Sequence, residues 1–220
     1  MVAVAWTPLA SAATLRRGSV IPLGVTPPAV RHFCVVRARL HEFAVLCPRR
    51  YPVALHSDVT GSGSAWRTPG FYWASFNDLS GFPQGDQGHL VLGGQRQPFS
   101  LAGARDQTWP RPKQPKPDRQ LPLPRLITTP MQNGKTYVAQ RPPRIIGSAR
   151  IHGTAALVLV AAGYPGGGLL SSHVIVLWNQ GHHGYFVSPH FDFSPKGAPY
   201  SKAQRIAAAL AIARSTTPAR

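Results

Sequence analysis

The first long pattern in the chain is a stripe of apolar residues at alternating steps of four and three. It begins at Ala29 and continues to Cys47. This spacing places side chains on one face of a helix. Pro27-Pro28 supplies the backbone angle favoured at a helix start, and Pro48 ends the pattern. The pattern predicts one continuous helix over residues 29–47.

Short runs rich in β-branched and aromatic residues follow this helix. Residues 71–76 have the composition of a strand. Residues 89–92 and 97–101 flank Gly93-Gly94, and a glycine pair between two apolar runs is typical of a turn. These two runs are therefore predicted to form a hairpin.

The second half of the chain contains six β-like runs separated by short links, including Asn133-Gly134 and His152-Gly153. Short links join antiparallel neighbours, and Asn-Gly is a strong hairpin signal. The runs are residues 125–131, 135–140, 144–151, 154–162, 173–178 and 185–191. They predict an antiparallel β meander of about six or more strands, in which the second half of the chain forms a self-contained sheet.

Residues 201–215 have the features of a closing helix. Ser201 is a candidate N-cap, and Ile206, Leu210 and Ala213 form a narrow apolar stripe. With the N-terminal helix, this segment is predicted to pack against the meander. The fold class is therefore α+β.

The domain boundaries follow from these elements. Residues 29–215 are predicted to form a single α+β domain, preceded by a linker (14–28) and followed by a tail (216–220). Residues 109–124 contain six prolines and are predicted to run as a surface segment in polyproline II conformation.

Residues 1–13 form a short apolar run that ends in a small-x-small cleavage pattern, Ala10-Ser11-Ala12. Neither Lys nor Arg precedes the run, so it is interpreted either as a truncated signal peptide or as an apolar tail. It is too short to span a bilayer, and no transmembrane span is expected elsewhere. The cleavage pattern favours an extracytoplasmic location, and a cytoplasmic one is the alternative.

The chain is strongly basic, with 24 Lys and Arg against 7 Asp and Glu and a net charge of +17. Such a field favours anionic partners, and an anionic component of the cell envelope is the expected one. The arginines are dispersed rather than gathered in a dense tract, which argues against a dedicated nucleic-acid site without excluding it.

The two cysteines, Cys34 and Cys47, both fall within the predicted helix. Thirteen residues of helix would separate them by about 20 Å. A disulfide requires Cα atoms within about 7 Å. The sequence therefore predicts two free thiols.

Histidines supply the densest candidate chemistry, in a group formed by His173, His182, His183, His190 and Asp192. Neutral imidazoles and a carboxylate suit zinc or copper, so these residues are the candidate metal ligands. His182 and His183 lie in a predicted hairpin loop with no carboxylate or cysteine at ligand spacing, so adventitious metal affinity is the simpler interpretation of the whole group. No cofactor is expected.

Aromatic residues form a second candidate site for binding a ligand, made of Tyr72, Trp73 and Trp109. Strand alternation puts Phe71 and Trp73 on one face and Tyr72 and Phe76 on the other. The competing interpretation is that one face lies in the core and the proline-rich segment covers the other, with no ligand. For nucleophilic catalysis, Ser188-Pro189-His190 lacks the Gly-x-Ser-x-Gly pattern. No catalytic residue is assigned, and the sequence favours a non-enzymatic role.

Three C-terminal segments resemble a known arrangement: residues 173–178, ending in Trp178, residues 184–188, starting with Gly-Tyr, and residues 205–210. The arrangement resembles uncharacterised extracytoplasmic proteins of high-GC bacteria. It is also distantly similar to sensor-like domains of unknown function in bacterial lipoproteins and anti-sigma factors. The resemblance covers about 45 residues and implies a binding or sensing module on the envelope side, with no catalytic residues.

These observations favour a non-enzymatic extracytoplasmic binding or interaction domain for an unknown ligand. A basic intracellular nucleic-acid-binding protein is the first alternative. A hydrolase or metalloenzyme that uses the C-terminal histidines is the second.

Overall fold

The computed structural model describes residues 21–52, 60–62, 71–77, 88–99, 101, 128–130, 136–138, 144–161, 173–191 and 200–219. The helices bounded within these ranges are α1 (Pro28–Ala38) and α2 (Lys202–Arg214). The strands are β1 (Leu23–Val25), β2 (Leu46–Pro48), β3 (Arg50–Pro52), β4 (Thr60–Ser62), β5 (Phe71–Asn77), β6 (His89–Gln95), β7 (Thr128–Pro130), β8 (Thr136–Val138), β9 (Arg144–Ile151), β10 (Thr154–Val160), β11 (Val174–Gln180), β12 (His183–His190) and β13 (Thr216–Pro218). The predicted signal peptide and the proline-rich segment lie outside the described residues.

A seven-stranded antiparallel sheet in the order β4-β5-β6-β12-β11-β10-β9 forms the centre of the molecule. The α+β class and the antiparallel sheet are confirmed. Strands β9 to β12 follow one another as a meander, as their short links predict. At the β9–β10 turn, His152 and Gly153 both have positive φ (48° and 80°), the geometry of a tight hairpin turn.

The meander is not self-contained, which differs from the prediction. The free side of β12 pairs with β6 from the first half of the chain, with Val187 opposite Leu92. Strands β7 and β8 pair with each other as predicted, but they form a separate two-stranded sheet. Backbone pairing carries little sequence information, so the choice of neighbour depends on packing over the whole sheet.

The predicted hairpin at Gly93-Gly94 is wrong, because β6 runs straight through both glycines. A Cβ atom on Gly93 would lie 2.5 Å from Cε1 of Phe186 and 2.5 Å from the carbonyl oxygen of Tyr72. Both distances are far below van der Waals contact. The glycines therefore allow neighbouring strands and rings to approach β6, and they do not form a turn.

The predicted helix over 29–47 is also wrong in its second half, because α1 ends at Ala38 and residues 46–48 form β2. Leu40, which continued the apolar stripe, is 60% exposed. The chain turns back after α1, and Cys34 and Cys47 form a disulfide with their Cα atoms 5.7 Å apart. The prediction of free thiols failed because it assumed a straight helix between the two cysteines.

The segments predicted as a linker and a tail contain short strands. Residues 23–25 of the predicted linker form β1, which pairs with β3. Residues 216–218 of the predicted tail form β13, which pairs with β2 and places Thr217 opposite Cys47. Strands of three residues are too short to show the alternation by which a strand is recognised in a sequence.

Helix α2 confirms the predicted closing helix. Ser201 accepts a hydrogen bond from the Gln204 amide, and the Gln204 side chain accepts one from the Ser201 amide, which completes a capping box. The helix lies against β9, β11 and β12. Its fully buried residues are Ala208, Ala209, Ile212 and Ala213, whereas Ile206 and Leu210 of the predicted stripe are partly buried.

Both faces of the sheet are buried at its four middle strands, β6, β12, β11 and β10. One face packs with the helices in a core that includes Trp178 and Tyr185. The alternate side chains of the same strands point to the opposite face. That second face is mainly apolar, through Val91, Leu157, Leu159, Ile175, Leu177 and Phe186, and it also contains His89, His173 and Ser188. Within the described part of the chain, no helix is long and apolar enough to cross a membrane.

Candidate metal centre

Three histidines form a row across neighbouring strands at one end of the second face. His89 begins β6 and lies directly opposite His190, the last residue of β12. His173 immediately precedes β11, and the β11–β12 register, extended by three residues, places it opposite His190. Directly opposed residues of an antiparallel pair point to the same side of the sheet. The three imidazoles therefore converge.

The rings are in mutual contact. The Nε2 atoms of His173 and His89 are 2.8 Å apart. The ring centroids are separated by 4.6 Å for His89 and His173, 5.1 Å for His89 and His190, and 5.0 Å for His173 and His190. One ring nitrogen from each histidine lies within 4.8 Å of the others. This arrangement brings three potential ligand atoms around one point.

The contacts of Ser188 favour a proton on Nδ1 of His173. Nδ1 of His173 lies 3.0 Å from the backbone carbonyl oxygen of Ser188 and 2.8 Å from its hydroxyl. A carbonyl oxygen only accepts hydrogen bonds, so the contact is favourable when Nδ1 is protonated. The neutral ring then presents the lone pair of Nε2 to the other histidines. Metal-binding histidines are commonly held in this way by a backbone carbonyl.

The surroundings of His173 favour its neutral form. Burial lowers the pKa of His173 well below its usual range, and the neighbouring His89 and His190 lower it further. The Ser188 backbone hydrogen bond acts in the opposite direction but does not outweigh them. A neutral imidazole is the form that binds metal ions. His173 is therefore held ready to act as a ligand at neutral pH.

The residues present fit a small transition-metal ion. Zinc–nitrogen bonds are about 2.0–2.1 Å long, so two ligand nitrogens in tetrahedral geometry lie about 3.3 Å apart. Nε2 of His89 and Nε2 of His173, 2.8 Å apart, would have to separate by about 0.5 Å to reach that value. The nitrogen of His190, within 4.8 Å of the others, would have to approach by up to about 1.5 Å. Nitrogen donors of this kind suit zinc and copper. The cysteines supply no ligand, because both are in the disulfide.

The structure brings together two of the five predicted metal ligands, His173 and His190. His183 lies at the far end of β12, where its Nδ1 contacts the backbone oxygen of Arg96, and His182 is exposed in the adjacent turn. Seven residues of strand separate the two ends of β12 by about 23 Å. His182 and His183 therefore do not belong to this centre, and Asp192 lies outside the described residues.

His89 was missed by the sequence analysis, although it begins a run that was recognised as β-like. Nothing in the local pattern connects His89 to His173, which is 84 positions further along the chain. The signal that could have found it is the pairing of β6 with β12, which a single sequence does not reveal.

The predicted aromatic ligand site is not supported at Tyr72. This side chain is 1% exposed and belongs to the hydrophobic core, and Phe76 is buried in the same core. The Tyr72 hydroxyl accepts a hydrogen bond from the Leu46 amide. It therefore offers no surface for a ligand to stack on. The Trp73 side chain and Trp109 lie outside the described residues.

Ser188 does not pair with its sequence neighbour His190, and its hydroxyl contacts His173 instead. Ser188 is completely buried. Ser188 is therefore placed to orient the imidazole ring of His173. The absence of a catalytic residue stays a prediction.

No protein family, curated protein or solved structure was found to match this chain. The resemblance of its C-terminal segments to extracytoplasmic proteins therefore stays a prediction.

Proposed function

We propose that this protein binds one transition-metal ion, zinc or copper, through His89, His173 and His190. The observation that supports this most directly is the convergence of three imidazole nitrogens within 4.8 Å at the end of a buried sheet face. A role in holding a metal agrees with the expectation of a binding domain rather than an enzyme.

The alternative explanation is a hydrogen-bonded histidine group that serves only the fold. A single proton shared between the two Nε2 atoms satisfies His89 and His173 as a pair. A metal ion would use one lone pair from each of the three rings. Three like rings gathered on a mainly apolar face therefore favour metal binding.

We further propose an extracytoplasmic location, supported by the disulfide between Cys34 and Cys47. Disulfides persist in oxidising compartments and are rare in the reducing cytosol. The support is independent of the cleavage pattern near the N-terminus. The location is tested by adding a thiol-alkylating reagent to intact producing cells. Extracytoplasmic protein, with Cys34 and Cys47 in a disulfide, is expected to be alkylated only after reduction. Cytoplasmic protein would be alkylated without reduction.

Metal-assisted hydrolysis is a second candidate function. Catalytic zinc sites use three protein ligands and keep one position open, and three histidines match that number. His190 is partly exposed, so it is the most accessible of the three candidate ligands. Zinc-loaded protein would then cleave activated esters faster than the metal-free protein, and His190→Gln would remove the difference.

The metal proposal is tested with tag-free protein that has been stripped by a chelator. Titration with Zn²⁺ and Cu²⁺ is expected to give one tightly bound equivalent, measured by calorimetry and by elemental analysis after dialysis. Each of His89→Gln, His173→Gln and His190→Gln is expected to lower the affinity by at least about tenfold. His182→Gln and His32→Gln, at exposed histidines, are the matched controls and should bind normally.

His173 is fully buried, so His173→Gln can lose metal simply by destabilising the fold. A second test therefore uses a readout that does not depend on stability. The electron paramagnetic resonance spectrum of the Cu²⁺ form should show coupling to three nitrogens, and to two in His190→Gln, which alters a partly exposed residue. Tight binding that survives all three substitutions, or that disappears in His182→Gln, would overturn the proposal.

A further inference from the structure

A pocket of about 370 Å³ lies beside the disulfide, on elements that carry none of the three metal-site histidines. One wall is α1, which contributes Arg31 and Cys34, and another is the β2–β13 pair, which contributes Cys47 and Thr217. The disulfide connects these two walls covalently. The shape of the pocket is therefore held in place by a bond rather than by side-chain packing alone.

The lining of the pocket is apolar apart from two arginines and two threonines. Its apolar surface includes Val25, Val35, Pro48 and Pro218, and Val25 is 80% exposed. Pockets that bind small molecules usually have volumes of about 300–1,000 Å³, mainly apolar walls and a few polar groups. The volume and lining match that description.

Arg31 and Arg49 supply the charge of the pocket. Nη1 of Arg31 donates to the Thr26 carbonyl, and Nε of Arg49 donates to the Thr217 hydroxyl, so each side chain is anchored by one bond. A guanidinium group has five N–H donors, and most of them stay available to a ligand.

Neither pocket arginine has a carboxylate partner among the described residues. The single acidic residue in those ranges, Glu42, forms an ion pair with Arg96 at 3.4 Å. Two cations at the edge of an apolar pocket attract an anion, and arginine binds carboxylate and phosphate groups through paired hydrogen bonds.

We propose that this pocket binds a small amphiphilic anion, with its acidic head held by Arg31 and Arg49 and its apolar chain lying against the valines and prolines. The site is separate from the metal centre, and it gives the excess positive charge of the chain a specific use. It also accounts for Val25, an apolar side chain left exposed at the pocket.

The test uses decanoate as the probe, at concentrations below micelle formation, and follows binding to the full-length protein by calorimetry and by amide NMR shifts. Decanoate is expected to bind at least about tenfold more tightly than decanol, since hydrogen bonds to a charged group supply that difference. Decyl phosphate should also bind. Equal binding of decanoate and decanol would overturn the proposal, because it would indicate apolar adsorption only.

Two double variants each remove two positive charges, one pair inside the pocket and one pair outside it. Arg31→Gln with Arg49→Gln is expected to lower decanoate affinity by at least about tenfold. Arg144→Gln with Lys202→Gln alters two exposed cations outside the pocket and should have no effect. A similar loss in both pairs would refute a specific site. Because Arg31 and Arg49 are exposed, the folded state is expected to survive, which the melting temperature checks.

The two proposals can fail separately. Decanoate binding is measured in the presence of a metal chelator and repeated with His89→Gln, and neither change should affect it. If binding required metal, the pocket would not be an independent site.

Discussion

The Nε2 atoms of His89 and His173 lie 2.8 Å apart, although the two residues are separated by 84 positions in the chain. At that distance one nitrogen must donate and the other accept. The Ser188 carbonyl favours a proton on Nδ1 of His173, and this tautomer makes His89 the donor. Binding a metal through Nε2 of His89 would then require that proton to leave Nε2. Metal binding would replace this hydrogen bond with two ligand bonds.

The first prediction concerns the tautomer of His173. In metal-free protein at neutral pH, the ¹⁵N resonances of its ring should show a protonated Nδ1 and an unprotonated Nε2. Ser188→Ala removes the hydroxyl but keeps the backbone carbonyl, so it should keep the same tautomer. The exposed His32 serves as the reference for a ring outside the histidine cluster. A proton on Nε2 of His173 would show that the Ser188 carbonyl does not set the tautomer of this ring.

The second prediction concerns the disulfide between residues separated by thirteen positions. Replacing both cysteines, Cys34→Ala with Cys47→Ala, should lower the free energy of unfolding by about 3 kcal/mol, because the closed loop restricts the unfolded chain. Denaturant unfolding measures the change, and reduction of the unaltered protein should produce a similar loss. Two reactive thiols in denatured, unreduced protein would contradict the disulfide itself.

The third prediction concerns close packing at Gly93. Gly93→Ala should destabilise the protein by at least about 1–3 kcal/mol, because the added carbon meets the Phe186 ring and the backbone of Tyr72. Gly181→Ala is the comparison, since Gly181 has positive φ but open space around it. Its cost should be about 1 kcal/mol from the backbone alone. A smaller cost at Gly93 than at Gly181 would argue against the β5–β6–β12 packing.

The fourth prediction concerns stability at alkaline pH. Burial raises the pKa of Tyr185 to about 12 and raises the pKa of Tyr72 further. Above about pH 10 the unfolded chain loses these protons while the folded chain keeps them, so stability falls as the pH rises. Each tyrosine contributes a slope of up to about 1.4 kcal/mol per pH unit.

Tyr185→Phe isolates one part of this effect. At neutral pH it should lower stability by about 1 kcal/mol, through loss of the hydrogen bond to the Ala44 carbonyl. Its stability should then fall less steeply between about pH 10 and 12 than that of the unaltered protein, in denaturant titrations. Parallel curves over that range would show that Tyr185 titrates equally in the folded and unfolded states.

Several elements could be predicted because their signals are local. Ser201 and Gln204 form a capping box within a single helical turn, and the helix they begin was predicted with its correct start. His152-Gly153 forms the tight turn that its composition indicates. In both cases the residues that interact are three or fewer positions apart, so the sequence contains the whole interaction.

The failures occurred where a local signal had two meanings. Gly93 and Gly94 suggested a turn, but they are small because Phe186 and Tyr185 pack against them from another strand. Leu40 continued a helical stripe by spacing alone, and its exposure shows that no core lies against it. The position of a glycine or a leucine in the sequence does not show whether a distant residue packs against it.

The sequence by itself determined the fold class, the β9–β12 meander and the closing helix, because these depend on side-chain period and turn chemistry within a few residues. The tertiary structure alone decided that β6 pairs with β12, and this pairing brings His89 to His173 and His190. Backbone hydrogen bonds are alike for every strand, so the order of strands depends on packing across the complete sheet. The candidate metal centre is a product of that order.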